Sequence, residues 1–91
     1  MINISSKAKA VASGNGFYIG HGVYEDEGVA LDTIDISEED TDLFIVYSVN
    51  CEGNLDLLMS PNYVQDIPQR ITSTRQLTKT MEYIVNNYID C

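Results

Sequence analysis

The chain has no tryptophan, one histidine, two cysteines, two prolines and only five Lys and Arg in 91 residues. Each shortage closes off a class of protein. Cys51 and Cys91 are too few for a disulfide scaffold and lack the paired spacing of a zinc site, so an intracellular, reduced protein is the expectation. No stretch of about 18 apolar residues is present, and Met1 to Ala10 carries two lysines with no apolar run behind them. Neither a membrane span nor a secretory segment is expected, and the expected location is cytoplasmic. Against the five cations stand 14 Asp and Glu, giving a net charge of −9 and an isoelectric point near 4.1. Such a balance disfavours direct binding to a phosphate backbone, and no membrane partner is expected either.

Catalytic and cofactor patterns are equally sparse. The single histidine, His21, lies between Gly20 and Gly22 with no patterned nucleophile beside it, and reads as a solvated or structural residue. Gly14, Gly16, Gly20 and Gly22 form a glycine-rich stretch, but position 19 is Ile where a dinucleotide fingerprint needs Gly, and no P-loop Lys follows. They read as turn and bulge residues. Glu38, Glu39, Asp40 and Asp42 supply oxygens suited to calcium, yet the central Gly and distal Glu of a hand-type loop are missing. A non-enzymatic protein without metal or cofactor is the expectation.

What the chain does have is acid in one segment. Glu25, Asp26, Glu27, Asp32, Asp35, Glu38, Glu39, Asp40, Asp42, Glu52 and Asp56 follow one another with no Lys or Arg among them. Two carboxylates about 7 Å apart repel by roughly 0.6 kcal/mol at the dielectric of water, and a Debye length of about 8 Å screens only the more distant pairs. Retaining such a segment costs stability.

Hydrophobic patterning predicts one α+β domain over residues 1–91. Asn15-Gly16, between Ala8, Ala10 and Ala12 on one side and Phe17, Ile19 and Val23 on the other, is a strong hairpin signal. The rival reading of the first segment is a helix from Ser6 to Ser13, capped by Ser5 or Ser6 and stopped by Gly14. Glu25 to Gly28 reads as a turn and Val29 to Ile36 as a strand, whose change of phase between Leu31 and Ile34 suggests a bulge. Ser37 followed by Asp40 suggests a helical turn over Glu38 to Asp42. Leu43 to Val49 reads as a central strand covered on both faces, Leu55 to Met59 as the next, and Pro61 and Pro68 bracket an irregular link. Ser73 and Gln76 form a capping-box pattern ahead of Leu77, Met81, Ile84 and Tyr88, widened by Val85 and Ile89. These predict an amphipathic helix over about Thr74 to Ile89. The expected fold is an antiparallel sheet of four or five strands built from hairpins, with that C-terminal helix packed on one face.

Two readings of the acidic run remain open. It is a solvated face that keeps a small protein soluble, or it is a carboxylate lattice that imitates nucleic acid. Alternate residues on a strand lie about 6.6 Å apart on one face, the scale of phosphate spacing along a backbone. In size, isoelectric point and the acids from Glu25 to Asp56 the chain resembles the small acidic inhibitors made by phages and mobile elements, such as anti-CRISPR and anti-restriction proteins, and the immunity proteins that block nucleases. The resemblance implies inhibition of a basic protein or complex that handles nucleic acid, with the acids as the contact residues. Of the six tyrosines, Tyr83 falls off the apolar stripe of the last helix and is the expected exposed, partner-facing aromatic. The alternative is a structural or assembly protein forming a homodimer or larger homo-oligomer through its C-terminal helix or a sheet edge.

Overall fold

The computed structural model describes residues 2–39 and 41–88, with the backbone alone at Asp26. The order of elements is α1 (Ser6–Ser13), β1 (Phe17–Asp26), β2 (Val29–Glu38), β3 (Phe44–Val49), β4 (Leu55–Met59), β5 (Arg70–Ile71) and α2 (Thr74–Tyr88). The strands form one five-stranded antiparallel meander in chain order. The α+β class and the hairpin-built sheet are as expected, but two helices cover the sheet rather than one.

The extra helix is α1, where the leading expectation was a strand. Ala and Lys favour helix, and the Ser5 hydroxyl accepts the Ala8 amide at 3.0 Å in an N-cap. Only Ala8 and Ala12, one turn apart, are buried. The alternation of alanines therefore marks a thin helix face that admits close packing, not a strand. The Asn15-Gly16 pair ends this helix instead of joining two strands. Asn15 donates its side-chain amide to the Val11 carbonyl, and Gly16 takes a positive φ of 76° on the way into β1.

Both helices lie on the sheet face formed by Phe17 and Ile19 of β1, Ile34 and Ile36 of β2, Ile45 and Tyr47 of β3, Leu55 of β4 and Ile71 of β5. Leu77, Met81, Ile84 and Val85 of α2 close the same core. The predicted N-cap forms, Ser73 Oγ accepting the Gln76 amide at 3.1 Å, but the reciprocal bond is displaced by one residue: the Gln76 side chain accepts the Thr72 amide, not that of Ser73, and donates to the Arg70 carbonyl. It thereby ties β5 to α2. Ile89, the predicted last residue of this stripe, lies outside the described residues.

Three local expectations are corrected. β1 and β2 stay in register from Phe17↔Glu38 to Asp26↔Val29, so β2 has no bulge; the irregularity falls between β3 and β4, at Val46/Tyr47. The change of phase in β2 has another cause, because its first half runs beyond the helices, where no core selects apolar residues. Among the described residues of the predicted helical turn none is helical: Glu38 is the last residue of β2, Glu39 begins a turn and Thr41 and Asp42 form a bend, while Asp40 lies outside the described residues. Finally, β3 is central but has one face uncovered, where Phe44 is 45% exposed.

Candidate functional site

Two surfaces follow from this layering. β3 pairs with β2 only from Thr33 to Ser37, so residues 29–32 pair with β1 alone. Residues 23–32 form a hairpin arm that projects beyond the sheet, about 10 Å of strand on each side. Its tip is the pair Glu27 and Gly28, both at positive φ (51° and 81°), the pattern of a type I′ turn. Val23 and Val29 are 65% and 58% exposed. An arm with apolar flanks and Glu25, Glu27 and Asp32 in the open is unsupported by its own chain on either face. Glu25 faces Ala30 and Asp32 faces Val23, so the two acids are diagonal neighbours on one side of the arm.

The second surface is the sheet face away from the helices. Period-two alternation in β1 places Tyr18, Gly20, Gly22 and Tyr24 there, opposite Ser37, Asp35, Thr33 and Leu31 of β2. β3 adds Phe44, Val46 and Ser48, and β4 adds Asp56 and Met59. Val46 is only 3% exposed yet stands outside the core cluster, so its neighbours on this face bury it. Tyr18, Phe44 and Met59 remain exposed on the same face, as does Tyr24 farther along β1 towards the arm. The glycines explain the local shape: a Cβ at Gly20 would collide with the Tyr18 phenol, and one at Gly22 with the Asp35 carboxylate. Both side chains occupy the space over β1 that a side chain at those two positions would fill.

The predicted contact acids divide accordingly. Glu25, Glu27 and Asp32 are on the arm, with the Asp26 backbone beside them opposite Val29, while Asp35 lies on the open sheet face. Glu38, Glu39 and Asp42 sit at the opposite end of β2. Asp32 and Glu38 are six strand residues apart, about 20 Å, which exceeds two Debye lengths. The acids therefore form two separate groups rather than one lattice along a strand. Glu38 accepts the Thr41 hydroxyl at 2.7 Å and so helps to shape its loop. Glu52 is exposed in the β3–β4 turn, where Asn50 organises the backbone by accepting the Glu52 and Asn54 amides. Asp56 is held from both sides, by Arg70 Nε at 2.8 Å and Asn50 Nδ2 at 3.1 Å. The hydrogen bond from Arg70 chiefly, then that from Asn50, keeps its carboxyl below the usual range. Tyr83, expected to be exposed, is half-buried, packs edge-on to Tyr88 and donates to Asp66 at 3.1 Å. Desolvation and then the Asp66 hydrogen bond raise its phenol.

The cations lie elsewhere. Lys7 and Lys9 are on α1, Arg75 and Lys79 on α2, and Arg70 on β5. Lys7, Arg75 and Lys79 border a groove of about 460 Å³ between the helices, where Lys7 pairs with Glu82 at 3.2 Å. None of Glu25, Glu27, Asp32, Glu39 and Asp42 has an ion-pair partner among the described residues. Nor do the described residues bring three or more His, Cys, Asp or Glu side chains together to hold a metal ion. Sequence reasoning missed the open face, although the alternation Tyr18-x-Gly20-x-Gly22-x-Tyr24 was the available signal for it. No family model, curated protein or solved structure matches this chain, so its candidate site is defined by geometry and charge.

Proposed function

We propose that this chain is a non-enzymatic binding protein that docks a basic, nucleic-acid-handling protein through the acidic β1–β2 arm and the adjoining open sheet face, and inhibits it by occupying its nucleic-acid site. The observation that supports this most is the segregation of charge: the arm carries acids without counter-ions, while the cations sit on the helices and β5. Unneutralised charge on a projecting element steers encounter with an oppositely charged groove, and each carboxylate it places there replaces a phosphate contact. The arm's Val23 and Val29 and the face's Tyr18, Tyr24 and Phe44 supply the apolar contact that charge alone does not.

Self-assembly through the last helix would have to use its outer, polar face, because Leu77, Met81, Ile84 and Val85 are buried in the chain's own core. A sheet edge remains open to it at β1.

The test is capture from a host lysate on immobilised protein, followed by a nucleic-acid binding assay on whatever is retained. Basic nucleic-acid-binding proteins retained at about 50 mM salt and released by about 500 mM, whose nucleic-acid binding the chain blocks, support the proposal. The triple variant Glu25→Gln, Glu27→Gln, Asp32→Asn should lose them. Retention unchanged by salt and by this variant would refute docking through the arm.

A further inference from the structure

The open sheet face holds a carboxylate whose setting differs from those of the other acids among the described residues. Asp35 stands opposite Gly20 in register and leans across Gly22, the space a side chain there would fill being taken by Asp35 Oδ2. Its Oδ1 accepts the Thr33 hydroxyl at 2.9 Å, and Thr33 is itself buried. The carboxylate is thus half-buried and oriented by a hydrogen bond, whereas Glu25, Glu27 and Asp32 on the arm are exposed. Among the described residues no hydrogen-bond donor reaches Oδ2. On the neighbouring strand β1 the Tyr18 phenol reaches over Gly20, the residue opposite Asp35, and Tyr18 is 59% exposed, so an accessible aromatic shares this face with the carboxylate. The one cation on this face, Arg70, is engaged by Asp56 at the far edge of the sheet.

We propose that Tyr18, Gly20, Gly22, Thr33 and Asp35 form a receptor for a single guanidinium group, an arginine side chain of the basic partner. A flat cation stacks on the exposed Tyr18 ring and donates to Asp35 Oδ2 while Thr33 keeps Oδ1 in place. Arginine is favoured over lysine because its planar group satisfies ring and carboxylate together, whereas an ammonium is a compact, strongly hydrated point charge. The glycines are required because any side chain at 20 or 22 would lift the phenol or the carboxylate off the strand. The receptor rests on the proposed docking of a basic protein, and it names the chemistry by which the flat part of that surface reads its partner.

The test is titration of the intact chain with N-acetyl-arginine amide, followed by amide shifts in nitrogen–proton spectra. Isosteric, uncharged N-acetyl-citrulline amide and N-acetyl-lysine amide are the controls. Shifts concentrated at Gly20, Gly22, Thr33 and Asp35 with the arginine probe, and weaker by about tenfold with either control, are expected. Asp35→Asn should remove them, Gly22→Ala should weaken them by displacing the carboxylate, and Glu82→Gln, with the same charge change on α2, should not. Shifts spread evenly over all acids, equal binding of the lysine probe, or an unaffected Asp35→Asn would overturn the receptor. If lysate capture depends on the arm acids while this probe finds no site, the docking proposal stands and the receptor falls. If the probe binds at Asp35 and no basic protein is ever retained, the receptor stands and its assignment to a protein partner falls.

Discussion

The Ser5 hydroxyl stands 2.7 Å from the Thr78 hydroxyl, joining positions 73 apart in sequence. Proton accounting gives the direction. Thr78 donates to the Thr74 carbonyl within α2 and Ser5 already accepts from Ala8, so Ser5 donates to Thr78. One side chain therefore begins α1 and fastens it to α2.

Ser5→Ala should cost about 1–2 kcal/mol, an N-cap together with a half-buried hydrogen bond. For a domain of this size that lowers the melting temperature by roughly 4–16 °C. A thermal melt of Ser5→Ala, Thr78→Val and the double variant should show sub-additive losses, because both substitutions remove the same bond. Strict additivity would mean that the two helices are fastened elsewhere.

The buried phenol of Tyr47 donates to the Pro68 carbonyl at 2.8 Å and holds the 60–69 link against the sheet. Tyr47→Phe should cost about 1–2 kcal/mol, since it removes a part-buried hydrogen bond. Desolvation pushes this phenol far above its ordinary value of 10.0. Its folded value is raised, so its contribution to stability is complete below pH 10 and is lost as the pH rises past that point, where the unfolded chain ionises first. Denaturant midpoints between pH 7 and 11 should fall more steeply for the natural chain than for Tyr47→Phe.

The two sheet faces predict opposite responses to the same substitution. Met81→Asp or Ile84→Asp places a charge in the core and should cost several kcal/mol, enough to unfold a domain of this size. Phe44→Asp or Tyr18→Asp, on the open face where both side chains are partly exposed, should cost less and leave the domain folded. A folded, unchanged Met81→Asp in a thermal melt would mean that the helical stripe faces outward.

The second helix was legible because three independent signals agreed: the capping box at Ser73 and Gln76, the spacing of Leu77, Met81 and Ile84, and the length of the run. β4 was legible from its flanking turns. α1 was ambiguous because alanines at every second position satisfy a strand, while Ala8 and Ala12 alone satisfy a helix against a close neighbour; the tertiary contact with α2 decides between them. The arm confused the pattern for the opposite reason. A strand that leaves the core loses the alternation that marks strands, and Leu31, Asp32 and Val29 then look like a bulge. The run of acids said nothing of its own division, since proximity in sequence becomes about 20 Å along a strand between Asp32 and Glu38.

That division makes the last prediction one about two kinds of acid. Glu25, Glu27 and Asp32 repel one another on the arm without a hydrogen bond that the fold depends on, and diagonal neighbours about 7 Å apart cost roughly 0.6 kcal/mol at the dielectric of water. Converting all three to their amides should leave the melting temperature at neutral pH equal or raised, while partner binding is lost. Asp56 behaves differently because it is built into the sheet by Arg70 and Asn50. Its folded-state carboxyl is depressed, so its contribution is present above the unfolded value of about 3.9 and is lost as the pH falls through the folded one. Asp56→Asn should therefore lower the melting temperature at pH 7 and flatten its decline below pH 4. Glu38, which anchors Thr41, belongs with Asp56. If the arm substitutions were instead to destabilise the chain as Asp56→Asn does, the arm acids would be structural, and docking through the arm would have no free charges to draw on.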